Sequence, residues 1–248
     1  LVQLVQLANG TGSWIGAAGV PADINLRAIN NSWGNTYWQH NKKLGTCVNP
    51  STTQIPHTGQ AWWPPNLIMT WEDLTNQWGG IYYRQLKAAD SGNRVVIVGS
   101  AGNDGVIADS PTCPGGVTYS AVTNSPVANA AIRQPGERFL AAMSTTYAGG
   151  LASPSTRNGD VSAPGECVRT TEDGGVGSNN DDVGGCPSAD STDPWSATQS
   201  GTSFAAPMVT AIAGLAAMTK PSLTGPQIAA ILRTEMTGFW GTDAFAVV

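Results

Sequence analysis

The sequence predicts an α/β fold in which a mostly parallel β-sheet carries helices on both faces. Two apolar runs are the basis of this prediction. The run Arg94 to Gly99 has the length of a buried strand, follows a helical pattern and leads into a glycine turn, as a crossover between parallel strands requires. The run Met208 to Met218 is too apolar for a surface helix, so it predicts a helix in the core.

Length and composition favour one domain and exclude two classes of partner. The 248 residues, of which 41% are hydrophobic, are enough for one sizeable core, so we expect a single domain over residues 1–248. Only 12% of the residues are charged and the net charge is −5, without a basic cluster, so nucleic acid is not an expected partner. No apolar run reaches the roughly 20 residues that span a bilayer, so no membrane helix is expected.

The first predicted element is a short strand between Arg27 and Gly34. We expect it to be an inner strand that places Ser32, Trp33 and Gly34 at its carboxyl end. The segment that follows, at about 35–70, has no hydrophobic period and predicts an irregular insertion. Its aromatic residues, Tyr37, Trp38, Trp62 and Trp63, with Trp71 just after it, argue against disorder, because solvated tails carry few aromatic residues.

A helix is predicted from about 78 to 91, before the strand that starts at Arg94. It places Tyr82, Leu86 and Ala89 on one face, with Gly92 just past its end. Weaker strand patterns follow at 117–122 and 139–143.

The last predicted element is an amphipathic helix. Thr224 and Gln227 have the spacing of a helix cap, and Ile228, Ile231 and Leu232 form the expected apolar face.

Ser203 is the candidate nucleophile. It lies at the first turn of the predicted core helix, where unpaired backbone N–H groups and the helix dipole favour an oxyanion beside the hydroxyl. The alternative is that Ser203 serves as an ordinary N-cap.

Asn103 is the second candidate. It follows a buried strand and two small residues, Ala101 and Gly102, so its amide is placed to donate a hydrogen bond to an oxyanion. Here the alternative is an Asn-Asp-Gly turn.

Four motifs resemble those of the subtilases, the subtilisin-like serine peptidases, and occur in that family's order. Residues 201–207, Gly-Thr-Ser-Phe-Ala-Ala-Pro, match its nucleophile motif position by position. Residues 101–103, 29–34 and 160–165 resemble its oxyanion, substrate-binding and Ala-Pro-Gly segments. Together the motifs extend over most of the chain.

The resemblance implies a three-layer subtilisin-like fold and a secreted serine endopeptidase. Ser203 would attack the scissile carbonyl, while Asn103 and the Ser203 N–H would hold the oxyanion. An extended peptide substrate would lie between two segments, Ser32-Trp33-Gly34 and Ser100-Ala101-Gly102.

Two of the family's motifs are missing: the Asp motif and the His-Gly-Thr motif that supply the orienting group and the base. We therefore expect the chain to be the carboxyl-terminal portion of a subtilase, with Asp and His on an amino-terminal segment of the same precursor. The start of the chain lacks the features of a signal peptide, which indicates a mature product or a fragment. His40 and His57, both in the insertion, are alternative bases.

Two rival functions are open. One is a pseudo-peptidase that binds peptides or a partner, and the other is a serine hydrolase that acts on esters.

The four cysteines, Cys47, Cys113, Cys167 and Cys186, lack zinc-site spacing, and their even number favours two disulfides and an oxidising compartment. A bridge from Cys167 to Cys186 would close an acidic loop and leave Cys47 with Cys113. Four cysteines allow three pairings, and free buried thiols are the alternative.

No cofactor is required by the predicted chemistry. The loop from Thr171 to Asp193 offers oxygen ligands for a structural calcium ion, although its spacing matches no defined calcium loop and a solvated acidic loop is the alternative.

Overall fold

A computed structural model describes residues 25–34, 49, 52–54, 69–90, 92–105, 121–133, 137–152, 155–171 and 196–237. Its main feature is a parallel sheet of four strands in the spatial order β1-β2-β3-β4. Strands β5 and β6 form a second, antiparallel sheet of two strands. The strands are β1 (Ala28–Asn31), β2 (Val96–Ser100), β3 (Phe139–Thr145), β4 (Val161–Pro164), β5 (Val168–Thr171) and β6 (Ser196–Gln199).

Helices cover both faces of this sheet, which confirms the predicted α/β fold. On one face the sheet packs against the last two helices, and on the other against the first and third. The helices are α1 (Trp71–Ala89), α2 (Ala121–Asn124), α3 (Pro126–Arg133), α4 (Thr202–Thr219) and α5 (Gly225–Thr237).

Strand β2 shows why a continuous apolar run indicates a strand covered on both sides. Val96 and Val98 pack in the cluster that includes the α4 residue Val209. Val95 and Ile97 pack in the opposite cluster with Leu86 of α1. Since side chains alternate between the two faces of a strand, burial of both faces favours apolar residues at successive positions.

Helix α1 begins seven residues earlier than the predicted start at 78. Thr70 accepts a hydrogen bond of 3.2 Å from the Asp73 N–H, and the Asp73 carboxylate accepts one of 3.0 Å from the Thr70 N–H. This is a capping box with Asp in the position that Glu or Gln usually occupies, so the sequence signal was missed. The helix ends at Ala89 with Asp90 as its cap, so the expected end beyond 89, with Gly92 just past it, was wrong.

The predicted apolar face of α1 is confirmed. Leu86 is buried, and Tyr82 and Ala89 pack against the same cluster.

One strand prediction needs correction, and another is not tested. Strand β1 pairs with β2 in the described part of the chain, and its expected place inside the sheet stays a prediction. Residues 121–122, expected at the end of a strand, belong to helix α2, while 117–120 lie outside the described residues. The strand expected at 139–143 is confirmed and extends to Thr145.

The predicted cap and part of the predicted face of α5 are also found. The Gln227 side chain accepts a hydrogen bond of 2.9 Å from the Thr224 N–H, and the Gln227 N–H donates one of 3.4 Å to the Thr224 hydroxyl. Ile228 and Leu232 are buried. Ile231 is 42% exposed, so its assignment to the buried face was wrong.

Helix α4 is buried on one face only, against the expectation of a helix enclosed in the core. Its small residues, such as Ala205 and Ala213, pack on the sheet. The opposite face leaves Ile212, Leu215 and Met218 exposed at 41%, 59% and 76% in the described structure. Among the described helices, α4 alone is long and apolar enough to meet a length-and-composition test for a membrane span, a test that core helices also meet.

Several predictions fall on residues that the structure does not describe. These are most of the insertion at about 35–70 with both histidines, the acidic loop after Thr171, and three of the four cysteines. The fourth, Cys167, is disulfide-bonded.

Candidate active site

The candidate site lies at the carboxyl edge of the sheet. Strands β1 and β2 are parallel neighbours, with Asn31 opposite Gly99. The segments 32–34 and 100–102 therefore leave the sheet side by side, and helix α4 starts next to them. In open parallel sheets this is the edge at which ligands bind.

Ser203 is the second residue of α4 and is half-buried. The cap position is taken by Gly201, which makes no side-chain cap bond, so the structure does not support an N-cap role for Ser203. The Ser203 hydroxyl makes one long contact, 3.4 Å to the carbonyl oxygen of Ser32. A contact of that length is a weak hydrogen bond and leaves the hydroxyl available for other partners.

Pro207 explains how Ser32 is tied to the start of this helix. Proline has no N–H, so the carbonyl oxygen of Ser203, four residues earlier, loses its helical partner. The Ser32 hydroxyl donates a hydrogen bond of 3.0 Å to that oxygen instead, and shares its proton with Asn30 Oδ1, which is also 3.0 Å away. The first turn of α4 is thereby linked to the end of β1.

The side chain of Asn103 is anchored directly before Ser203. Its Oδ1 accepts a hydrogen bond of 2.8 Å from the Thr202 N–H and another of 2.9 Å from the Thr202 hydroxyl. Because a backbone N–H can only donate, these bonds fix which end of the amide faces Thr202. The other end, Nδ2, is a donor with no acceptor among the described residues, so it is able to bind an oxygen of a ligand.

Gly201 allows this close approach. Its φ of +152° lies in a region that residues with side chains rarely adopt. A methyl group at this position would also lie 2.9 Å from Asn103 Nδ2. Glycine is therefore required if the helix start and the carboxamide are to meet.

Trp33 forms an aromatic wall beside the site. Its ring meets Trp78 edge-on with centroids 5.4 Å apart, and its centroid lies 5.7 Å from that of Tyr82. Burial raises the pKa of the Tyr82 phenol, while hydrogen bonds with Asn31 and Trp33 act in the opposite direction. Trp33 remains 41% exposed, so α1 holds the ring in place and leaves much of it accessible.

The predicted substrate-binding residues differ in accessibility. Trp33 and Gly34 are exposed and Ser32 is half-buried, whereas Ser100 and Ala101 are 4% and 0% exposed. In the second segment, Gly102 is therefore the residue that a ligand can reach.

The structure also places one residue at the site that the sequence analysis gave no role of its own. Thr202 binds Asn103 through both its N–H and its hydroxyl, and it accepts a hydrogen bond of 3.1 Å from the Gly102 N–H. Its position inside the nucleophile motif was the available signal. Within the described ranges, no cluster of metal-binding side chains is found.

The comparison with family models decides the relationship. Residues 2–244 match the model of the subtilase family. The chain is a subtilase. No curated protein matches it.

Two solved structures illustrate what this subtilase resembles. A cold-adapted subtilisin-like serine proteinase is 24% identical, with a TM-score of 0.37, over 61% of this chain and 43% of its own. A protease from Pseudoalteromonas arctica is 23% identical, with a TM-score of 0.47, over 94% of this chain and 50% of its own. The subtilase chain described here thus spans about half the length, or less, of these structures.

Proposed function

We propose that this chain is the carboxyl-terminal portion of a secreted subtilisin-like serine endopeptidase. Ser203 attacks the carbonyl carbon of a peptide bond, and the resulting oxyanion accepts hydrogen bonds from Asn103 Nδ2 and the Ser203 N–H. The supporting observation is the pair of hydrogen bonds from Thr202 to Asn103 Oδ1, at 2.8 and 2.9 Å. They hold the carboxamide next to the nucleophile and leave its donor end for the reacting oxygen.

The geometry suits stabilisation of charge that develops during the reaction. Donors that are already fixed in place need no reorganisation when the oxyanion forms, and the N-terminus of α4 adds a partial positive charge. In subtilisin, removal of one such donor lowers turnover by roughly 10²–10³-fold.

The general base is proposed to come from an amino-terminal segment that carries the Asp and His of the family. None of the residues that the structure describes is a histidine, and the Ser203 hydroxyl has only its long contact with Ser32. The exposed apolar face of α4, formed by Ile212, Leu215 and Met218, offers this segment a surface. Exposed apolar side chains that adjoin one another are typical of an interaction site.

The substrate is proposed to bind as an extended peptide beyond the carboxyl ends of β1 and β2. The segments after β1 and β2 leave the sheet side by side, because Asn31 lies opposite Gly99, so a peptide between them would pair with their backbone groups. Ser32-Trp33-Gly34 would form one side of the cleft and Gly102 the other.

We also propose that the protein is extracellular and that it has two disulfides, Cys167–Cys186 and Cys47–Cys113. Cys167 is disulfide-bonded, and a bridge to Cys186 would close the acidic loop. Disulfides persist in oxidising compartments, which supports secretion.

Labelling with a fluorophosphonate tests the function, with the full-length natural protein as the sample. We expect stoichiometric modification of Ser203, and no modification of the Ser203→Ala variant. Because the motifs for Asp and His are absent from this sequence, a peptide-binding pseudo-peptidase is the second candidate, and absence of labelling in the full-length protein would favour it. A matched panel of peptide and ester substrates then separates a peptidase from an esterase.

A further inference from the structure

Thr156 makes two hydrogen bonds that bracket Asn103. The Thr156 N–H donates to the Gly102 carbonyl oxygen at 2.9 Å, and the Thr156 hydroxyl accepts from the Asp104 N–H at 3.0 Å. One residue therefore holds the backbone immediately before and immediately after the proposed oxyanion donor.

Asn124 completes this arrangement from helix α2. Its Nδ2 donates to the Asp104 carboxylate and lies 3.3 Å from the Thr156 hydroxyl. Thr156, Asn124 and Asp104 are all fully buried. Buried polar networks whose members are paired are rigid, because breaking one bond leaves a polar group without water.

The packing around Gly102 shows that the network fits this loop closely. Gly102 has a φ of +108°, and a methyl group there would lie 2.6 Å from Asn124 Nδ2 and 3.0 Å from the Thr156 hydroxyl. The loop is thus held from the interior by Thr156 and Asn124, and from the helix side by Thr202, which accepts from the Gly102 N–H.

From this geometry we infer that Thr156 is a positioning residue for the oxyanion hole: it sets the backbone of Asn103 so that Nδ2 meets the oxyanion. This inference rests on the proposed peptidase function. Thr156 does not touch the substrate, so its effect must pass through Asn103. A shift of about 1 Å at a catalytic group costs up to roughly 100-fold in rate.

The test compares Thr156→Val, which has nearly the same shape but no hydroxyl, with Thr156→Ser, which keeps the hydroxyl. In the full-length protein we expect Thr156→Val to lower kcat about tenfold with KM within about twofold, since complete loss of an oxyanion donor costs roughly 10²–10³-fold. Thr156→Ser should restore kcat to within about threefold of the unmodified protein. A wild-type kcat in folded Thr156→Val would overturn the inference.

A double-mutant cycle with Asn103→Ala separates positioning from general destabilisation. If Thr156 acts through Asn103, Thr156→Val should lower kcat by less than about twofold once the Asn103 side chain is gone. An undiminished tenfold loss in that background would show a role independent of Asn103. If Thr156→Val fails to fold, Thr156→Ala, which leaves room for a water molecule, takes its place in the cycle.

A second readout does not need activity. The side-chain amide resonances of Asn103, identified by their loss in Asn103→Ala, should shift in ¹⁵N-labelled Thr156→Val and stay near their original positions in Thr156→Ser. Unchanged resonances in Thr156→Val would refute the inference. An inactive unmodified full-length protein would count against the proposed function only.

Discussion

The Ser32 hydroxyl donates a hydrogen bond of 3.0 Å to the carbonyl oxygen of Ser203, the oxygen that Pro207 deprives of its helical partner. This bond links the end of β1 to the first turn of α4. It explains why a proline is tolerated so close to the nucleophile, since the Ser203 carbonyl oxygen accepts a hydrogen bond from Ser32 in place of the helical one.

This relationship predicts that Pro207→Ala recovers stability that Ser32→Ala loses. Ser32→Ala should lower the free energy of unfolding by about 1 kcal/mol, because the Ser203 carbonyl loses its hydrogen bond. Adding Pro207→Ala restores an N–H four residues after Ser203 and should recover much of that loss. Urea unfolding of both variants and of Pro207→Ala alone measures the effect, and equal losses with and without Pro207→Ala would refute the explanation.

Trp33 should contribute to substrate binding and little to the chemical step. Trp33→Ala removes the exposed ring that Trp78 and Tyr82 hold beside the cleft, so we expect KM for a peptide to rise about tenfold while kcat stays within about twofold. Tyr147→Ala, which removes an aromatic side chain that is 97% exposed, is the matched control and should change neither constant. A fall in kcat alone for Trp33→Ala would contradict this role.

The cap of α1 predicts a loss of stability in acid. Hydrogen bonds from the Thr70 N–H, and then from the Thr70 hydroxyl, hold the pKa of Asp73 below its ordinary value of 3.8. A carboxylate with a lowered pKa in the folded state contributes stability that is present above that ordinary value and is lost as the pH falls through the folded value. Asp73→Asn should therefore flatten the stability curve below about pH 4, whereas Thr70→Ala should cost about 1 kcal/mol near neutral pH.

Urea titrations between acid and neutral pH check this prediction. If the stability of Asp73→Asn depends on pH as strongly as that of the unmodified protein, the dependence arises at other carboxylates.

The exposed face of α4 should be buried in the full-length protein. If an amino-terminal segment covers it, Leu215→Lys should destabilise the full-length protein by about 2 kcal/mol, the amount expected for a buried leucine. Ile81→Lys is the control, because Ile81 is 40% exposed on a helix for which we propose no covering segment. Thermal unfolding of both variants measures the difference, and equally small shifts would argue against the proposed segment.

Local patterns in the sequence were enough to predict most of the fold. The long buried strands were visible because a strand covered on both sides is apolar at successive positions, as Val96–Val98 are in β2. Strand β4 was not assigned because its four residues, Val161–Pro164, include a serine and a proline and are too few to show a period. The start of α1 was missed because Asp73 replaces the usual Glu or Gln of a capping box.

The candidate site was predictable only where its residues lie in motifs. Ser203 and Asn103 stand in short segments with a distinctive order, whereas Thr156 and Asn124 reach the same loop from separate parts of the chain. Thr156 lies in the segment between β3 and β4 and Asn124 at the end of α2, so their contacts depend on tertiary packing, which no local spacing reveals. The exposure of Ile212, Leu215 and Met218 on α4 was not predicted, because an apolar run does not show which face meets the sheet.

The central claim is that Asn103 donates a hydrogen bond to the oxyanion that forms at Ser203. The most direct measurement is kcat of the full-length protein with Asn103→Asp, which keeps an oxygen for the Thr202 N–H but has no Nδ2 donor. We predict that kcat falls by roughly 10²–10³-fold while KM changes little. A kcat equal to that of the unmodified protein would contradict the account.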